Sequence, residues 1–252
     1  MIDYSNVKLG KLPAKKDPRS LKLSNYKVSS LPIPTGYSNL LKRTDITPML
    51  NNQIGDCTVV GIANFIANIT SMNGNQIIIP DEEILKFYEV VSGYNPNIPN
   101  TDRGAVLVNV LNHWRTNPFY NQSLSAFVEI NPKNIREYRE SIYYFGGCYL
   151  GFELPLSCQN MGTQWKYPGN LEGINTPGSW GGHCVELSAY DSNTNSFTTI
   201  SWGEIVTIDM EFLLNYCDEG FALLTPDLFN NGKSINGFNI NQLQNDLNLL
   251  ND

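Results

Sequence analysis

The stretch from Asp56 to Asn73 constrains the fold most. Ile62, Phe65, Ile66 and Ile69 recur there at helical spacing, and Asn73-Gly74 supplies a stop. Val59, Val60 and Ala63 add apolar surface on neighbouring faces, so the predicted helix is buried nearly all round. Such a helix needs packing partners on every side. A chain of 252 residues can supply them within one compact unit of two lobes.

Three more helices are expected around it. Asp81 caps a second, with Ile84, Phe87, Tyr88 and Val91 on one stripe and Gly93 at its end. A third follows Arg103-Gly104, with Leu107, Val110, Leu111 and Trp114 on one face. Asn131-Pro132 starts a fourth, with Ile135, Tyr138 and Ile142 inward. Beyond Gly146-Gly147 the pattern turns to strands: 148–152, then 183–190 and 197–202 as a hairpin, then 204–208 and 221–224, with a short helix over 210–216. The fold class is therefore α+β. The predicted divisions are an extended arm over 1–45, a helical lobe over 46–130, a β-rich lobe over 131–230 and a tail over 231–252. Ile240, Leu243, Leu247 and Leu250 make a short amphipathic helix in that tail. The arm, rich in Lys, Pro, Ser and Asn, is expected to lie along a surface rather than form core.

Composition removes several function classes. A net charge of −7 and an isoelectric point near 4.9 argue against nucleic acid as partner, because phosphate binding needs clustered Lys and Arg. No apolar run approaches a membrane span and no signal peptide is visible, so the expected setting is cytoplasmic or virion-associated, with no membrane partner. Five cysteines without a C-x-x-C pair fit a reducing compartment rather than a disulfide framework. With two histidines, His113 and His183, a multi-histidine metal site is excluded, and neither metal nor cofactor is expected.

Two segments carry chemistry. Asn51-Asn52-Gln53-Ile54-Gly55-Asp56-Cys57 sets a cysteine at the mouth of the buried helix, where unpaired N–H groups and the helix dipole favour a thiolate. Ser179-Trp180-Gly181-Gly182-His183 opens a strand with a histidine that glycines leave uncrowded. A thiol and an imidazole within hydrogen-bond reach can attack a carbonyl and protonate the leaving amine. The Cys57 N–H and an upstream amide side chain would stabilise the oxyanion. Asp56 works against activation, since a carboxylate beside the sulfur raises the thiol pKa unless it points away. A lone cysteine here would more often be structural.

Asn52-Gln53-Ile54-Gly55-Asp56-Cys57-Thr58, Gly181-Gly182-His183-Cys184-Val185 and Ser201-Trp202-Gly203, in this order, resemble the papain-like cysteine peptidases, especially the compact bacterial and bacteriophage members. The resemblance runs over roughly residues 9 to 229. It implies a helical left lobe, an antiparallel β-barrel-like right lobe and a cleft between them. Cys57 would be the nucleophile, His183 the general base and acid, and Gln53 the oxyanion glutamine, although Asn51 stands at the papain spacing. Trp202 would shield the histidine. Where the family has the asparagine that orients the imidazole, this chain has Ile200; Ser201, Thr199 or a backbone carbonyl would take that part, with Ser201 favoured.

Two functions follow. One is a cysteine peptidase or related thiol amidase or acyl transferase acting on a peptide or protein substrate. The other is a degenerate papain-like fold that binds peptides or serves as a virion structural protein among other virion proteins. The arm has two readings as well: a tail docked on the surface, or a built-in blocker in or near the cleft.

Overall fold

The computed structural model describes residues 4, 7–18, 20–26, 31–230, 233, 234, 241 and 245. Helix α1 spans Cys57–Met72, and its residues from Cys57 to Ser71 are all buried, as an apolar surface on every face requires. Around it pack α2 (Asp81–Ser92) and α3 (Leu107–Thr116), which bury Ile84, Phe87 and Tyr88 and Leu107, Val110, Leu111 and Trp114. Asp81 is the first helical residue of α2 rather than its cap; Pro80 stands at the cap, and the three acidic residues of the first turn face the positive end of the dipole. Helix α4 begins at Ile135, later than Asn131-Pro132 suggests, because the Asn134 side chain accepts the Arg136 N–H and caps it.

Eight strands among the described residues form one sheet: β1 (Gly36–Ser38), β2 (Ala126–Glu129), β3 (Cys148–Leu154), β4 (Gln164–Trp165), β5 (Gly181–Asp191), β6 (Ser196–Ser201), β7 (Glu204–Asp209) and β8 (Cys217–Leu224). The order is β2-β8-β3-β5-β6-β7-β4, with β1 on the far half of β5. The expected barrel-like lobe is thus a sheet that does not close. All pairings are antiparallel except the short β4–β7 pair. Helix α5 (Met210–Tyr216) links β7 to β8 and is capped by Asp209, which accepts the Phe212 N–H.

Strand alternation divides the core in two. Cys148, Leu150, Phe152, Val185, Leu187, Ala222 and Leu224 face α4, α5 and the tryptophans Trp165 and Trp202. Tyr149, Cys184, Phe221 and Leu223 face α1 and the helical half. Each large side chain so buried stabilises the fold by about 1.5–3 kcal/mol relative to exposure.

The N-terminal segment does more than cover a surface. Leu23 and Tyr26 enter the core, β1 extends the sheet, and Lys11 pairs with Ala105 as an isolated bridge. The tail helix inferred from Ile240, Leu243, Leu247 and Leu250 lies outside the described residues.

Candidate active site

Cys57 is the first residue of α1 and is 1% exposed. The loop before it is pinned from the α2–α3 side. Asp102 accepts the Gly55 N–H through both carboxylate oxygens at 3.1 Å and takes the Tyr88 hydroxyl at 2.6 Å. The same hydroxyl accepts the Gly104 N–H at 3.0 Å. Asp102 and Tyr88 therefore join the loop of the thiol to the loop that faces the arm. Nothing in the sequence around Asp102 distinguishes this anchor from a solvated loop residue.

His183 lies on β5, opposite Phe152 of β3, and is 1% exposed. Its Nε2 and the Ser201 Oγ are 2.9 Å apart, and Trp202 stacks on the ring at 4.1 Å with a 16° interplanar angle. Trp202-Gly203 forms the two-residue turn between β6 and β7 with φ of 49° and 78°, the left-handed conformations that match a twisted hairpin. That turn swings the indole over the imidazole. Ile200 is buried, and its partner across the hairpin is Ile205; strand alternation sends it to the face opposite Ser201. The ring's remaining nitrogen, Nδ1, is buried without a hydrogen-bond partner among the described residues. When Nε2 carries the proton it donates to Ser201 and leaves Nδ1 as the free base.

The strand that carries His183 also touches the thiol. The backbone N–H groups of Cys184 and Gly10 both act to lower the Cys57 thiol, and α1 packs against β5. Gly10 belongs to the N-terminal segment, which runs through the groove between the two halves. The Lys11 N–H donates to Gly182 O at 3.0 Å, the Leu12 N–H to Ala105 O at 3.0 Å, and the Ala105 N–H to Gly10 O at 2.8 Å. The Trp202 indole N–H donates to Lys8 O at 3.1 Å, and Tyr4 packs edge-on against that indole. Glycine makes the passage possible. A Cβ on Gly10 would stand 1.7 Å from Gly55 O, and one on Gly182 would stand 2.2 Å from Lys11 O.

Water exclusion sets the charges. Burial pushes the Cys57 thiol up to about 12, against the pull of the Cys184 and Gly10 N–H groups and Lys11. Burial alone brings His183 down to about 3. Asp56 is fully buried, neither carboxylate oxygen has a hydrogen-bond partner among the described residues, and burial raises it well above the usual range despite the Asn51 amide beside it. Asp56 in turn adds to the causes that push the Cys57 thiol up. Gln53 is exposed, and its N–H closes a turn on Leu50 O at 2.7 Å. Asn51 is buried and donates its amide to Ile54 O at 3.3 Å. The structure thus joins His183 to Ser201, packs α1, which opens with Cys57, against the strand that carries His183, and leaves Gln53 exposed. The described residues contain no cluster of His, Cys, Asp and Glu that could hold a metal ion.

No protein-family model matches the sequence, and no curated protein matches it. Solved structures do match in shape. Xylellain, a cysteine protease from Xylella fastidiosa, superposes with a TM-score of 0.68 at 16% identity over 87% of this chain and 97% of its own. Procathepsin B S9 from Trypanosoma congolense gives 0.60 at 12% identity over 89% and 88%. The ragweed pollen cysteine protease Amb a 11, in its proform, gives 0.60 at 11% identity over 93% and 72%. The chain has the papain-like cysteine protease fold.

Proposed function

We propose that this chain is a cysteine peptidase whose cleft is closed by its own N-terminal segment. The observation that carries the reading is the state of His183: Nε2 engaged by Ser201, the ring covered by Trp202, and Nδ1 unpartnered on the strand whose next N–H reaches the Cys57 sulfur. In the reaction the Cys57 proton passes to His183 Nδ1 and the thiolate attacks the substrate carbonyl. The C–N bond then breaks as the amine takes that proton, and water hydrolyses the thioester. Ser201 holds the imidazole in the tautomer that this needs, the part expected of an asparagine at 200.

The Cys57 N–H, unpaired in the first turn of α1, is one oxyanion donor. Asn51 spends its amide inside the loop, which leaves Gln53 as the exposed amide for the second. The resting arrangement is inhibitory, because the segment presents the Gly10 N–H to the sulfur instead of a carbonyl carbon. Three of the structural neighbours are proforms, which fits a closed cleft.

The competing reading is a papain-like fold that only binds polypeptide. Ile200 and the high thiol pKa favour it. Iodoacetamide labelling near neutral pH, with wild type, Cys57→Ala and His183→Ala compared after loosening the segment by Lys11→Glu, separates the two. A peptidase shows labelling that vanishes in Cys57→Ala and slows in His183→Ala. Labelling indifferent to His183 would leave only the binding reading.

A further inference from the structure

The side chain of Lys11 leaves the segment and enters a pocket between the two halves, where it is 0% exposed. Its Nζ stands 2.7 Å from Asp218 Oδ2, 3.1 Å from Glu153 Oε1 and 3.6 Å from Glu219 Oε1. Gly151 forms the wall along the aliphatic stem: a Cβ there would lie 2.3 Å from Lys11 Cε. A side chain at 151 would force the Lys11 stem and Glu219 to shift. Glu219 is 8% exposed, and its Oε1 has no hydrogen-bond partner among the described residues, so it is a buried acceptor aimed into the space the ammonium fills. Asp218 and Glu219 also border a cavity of about 190 Å³, lined in addition by Glu129 and by Lys15 and Lys16 of the segment.

This arrangement is too costly to be incidental to a blocking segment. Three carboxylates around one site repel each other, and burial pushes Glu219 up to about 7 against the pull of Lys11. Burial would lower the Lys11 ammonium, but Asp218, Glu219 and Glu153 outweigh it and the net shift is upward. An apolar pocket would seat a leucine without these costs. The charge balance of the chain points the same way. Residues 1–26 hold six basic and two acidic side chains, a net +4, which leaves −11 on the rest of a chain of net −7.

We propose that the pocket of Gly151, Glu153, Asp218 and Glu219 selects a lysine in the polypeptide that occupies the cleft, so that the substrates are polypeptides with a lysine adjoining the residue that faces Cys57. This rests on the peptidase reading for the word substrate, but the pocket's preference does not. Lys11 is the stand-in: its N–H donates to Gly182 O, beside His183, while its neighbour Gly10 packs on Gly55, two residues before Cys57.

The test uses the full chain carrying Lys11→Glu, which sets a carboxylate among carboxylates and expels the segment. Labelled peptides with the sequence of residues 7–14 carry lysine, norleucine or glutamate at the position of Lys11, and binding is read by fluorescence polarisation. The lysine peptide is expected to bind at least tenfold tighter than the norleucine peptide, and the glutamate peptide weakest. Combining Lys11→Glu with Glu153→Gln and Asp218→Asn brings lysine and norleucine within threefold. If Lys11→Glu fails to fold by circular dichroism, Lys11→Ala replaces it. Norleucine binding as well as lysine overturns the proposal. A fluorogenic peptide library on the same protein then separates the two ideas. Cleavage with no basic preference at any position overturns the pocket and spares the peptidase. Lysine-selective binding with neither cleavage nor Cys57 labelling sinks the peptidase and keeps the pocket.

Discussion

Replacing Lys11 by glutamate should expose the thiol. In the resting protein Cys57 is pushed up to about 12, so at pH 7 only about one thiol in 10⁵ is ionised. Breaking a buried ion pair and leaving a charge unpaired costs about 3–5 kcal/mol. Here the new carboxylate meets Asp218, Glu153 and Glu219, so the segment's equilibrium should shift by more than a hundredfold toward release. Water then reaches the sulfur, and its pKa falls at least to the free value near 8.5, where about 3% is thiolate. The gain in thiolate is roughly 3,000-fold. A less basic thiolate is also a weaker nucleophile: with a Brønsted slope of about 0.4–0.5, about 3.5 units cost roughly 25- to 55-fold.

The net expectation is about a hundredfold faster reaction of Cys57 with a disulfide reagent such as dithiodipyridine at pH 7. Absorbance of the released thiopyridone follows it, with Cys57→Ala as the background from the four other buried cysteines. The pH profile adds a second check. The wild-type rate should climb tenfold per pH unit up to the alkaline limit of the assay, and the variant should level off near its new pKa. Rates within threefold of each other, or superimposable profiles, would refute the claim that the segment is what keeps the thiol neutral.

Ser201→Ala removes the partner of His183 Nε2. A buried ring nitrogen left unpaired costs about 1–3 kcal/mol of stability. Turnover in the released enzyme should drop about ten- to a hundredfold, less than the ~10⁴ of other triads, because Trp202 still clamps the ring. Ser201→Thr should rescue the His183 limb of the pH–rate profile, which a merely structural serine would not move. Glu186→Gln should flatten the stability–pH curve on its alkaline side. Glu186 is pushed up to about 8 by burial, against Ser188, Arg43 and Asn68, so its contribution is complete below the unfolded value near 4.5 and is lost as pH rises through about 8. His183 runs the other way: its contribution is complete above about 6.5 and is lost as pH falls toward about 3. Urea midpoints from pH 6.5 to 8.5 should fall in wild type, by the equivalent of a few kcal/mol, and stay level in Glu186→Gln. A parallel decline in both would place the titration elsewhere.

The helices and the β-rich half were legible because periodicity is a local signal. The apolar faces of α1 leave it no place but the interior, and the strand boundaries follow from alternation and turn residues. Ladder partners are a different matter. Strand β2 has four residues and becomes a strand only by pairing with β8, and β1 only by pairing with β5. No window of sequence contains both members of such a pair. The site divides the same way. Cys57 and His183 stand out by their neighbours in the chain, but Asp102 holds Gly55 from 47 residues away and Lys11 meets Asp218 from 207 away. Side chains that act across such separations look like ordinary surface charges until the backbone brings them together.

The acidic residue beside the sulfur shows how a local reading keeps its sign while burial changes its context. An ionised Asp56 would oppose a thiolate at Cys57, and by sequence alone it counts against catalysis. Its complete burial, with no hydrogen-bond partner for either oxygen among the described residues, raises its own pKa and so favours its neutral form more than a solvated carboxylate's. The same desolvation keeps Cys57 a thiol and His183 an uncharged ring. Under the proposed function, burial therefore acts on all three groups at once, and the segment that excludes water also fills the cleft. Inhibition is then both steric and electrostatic. On that reading, opening the groove rehydrates Cys57 and His183. Release should lower the thiol and raise the imidazole toward each other, the direction a thiolate–imidazolium pair requires.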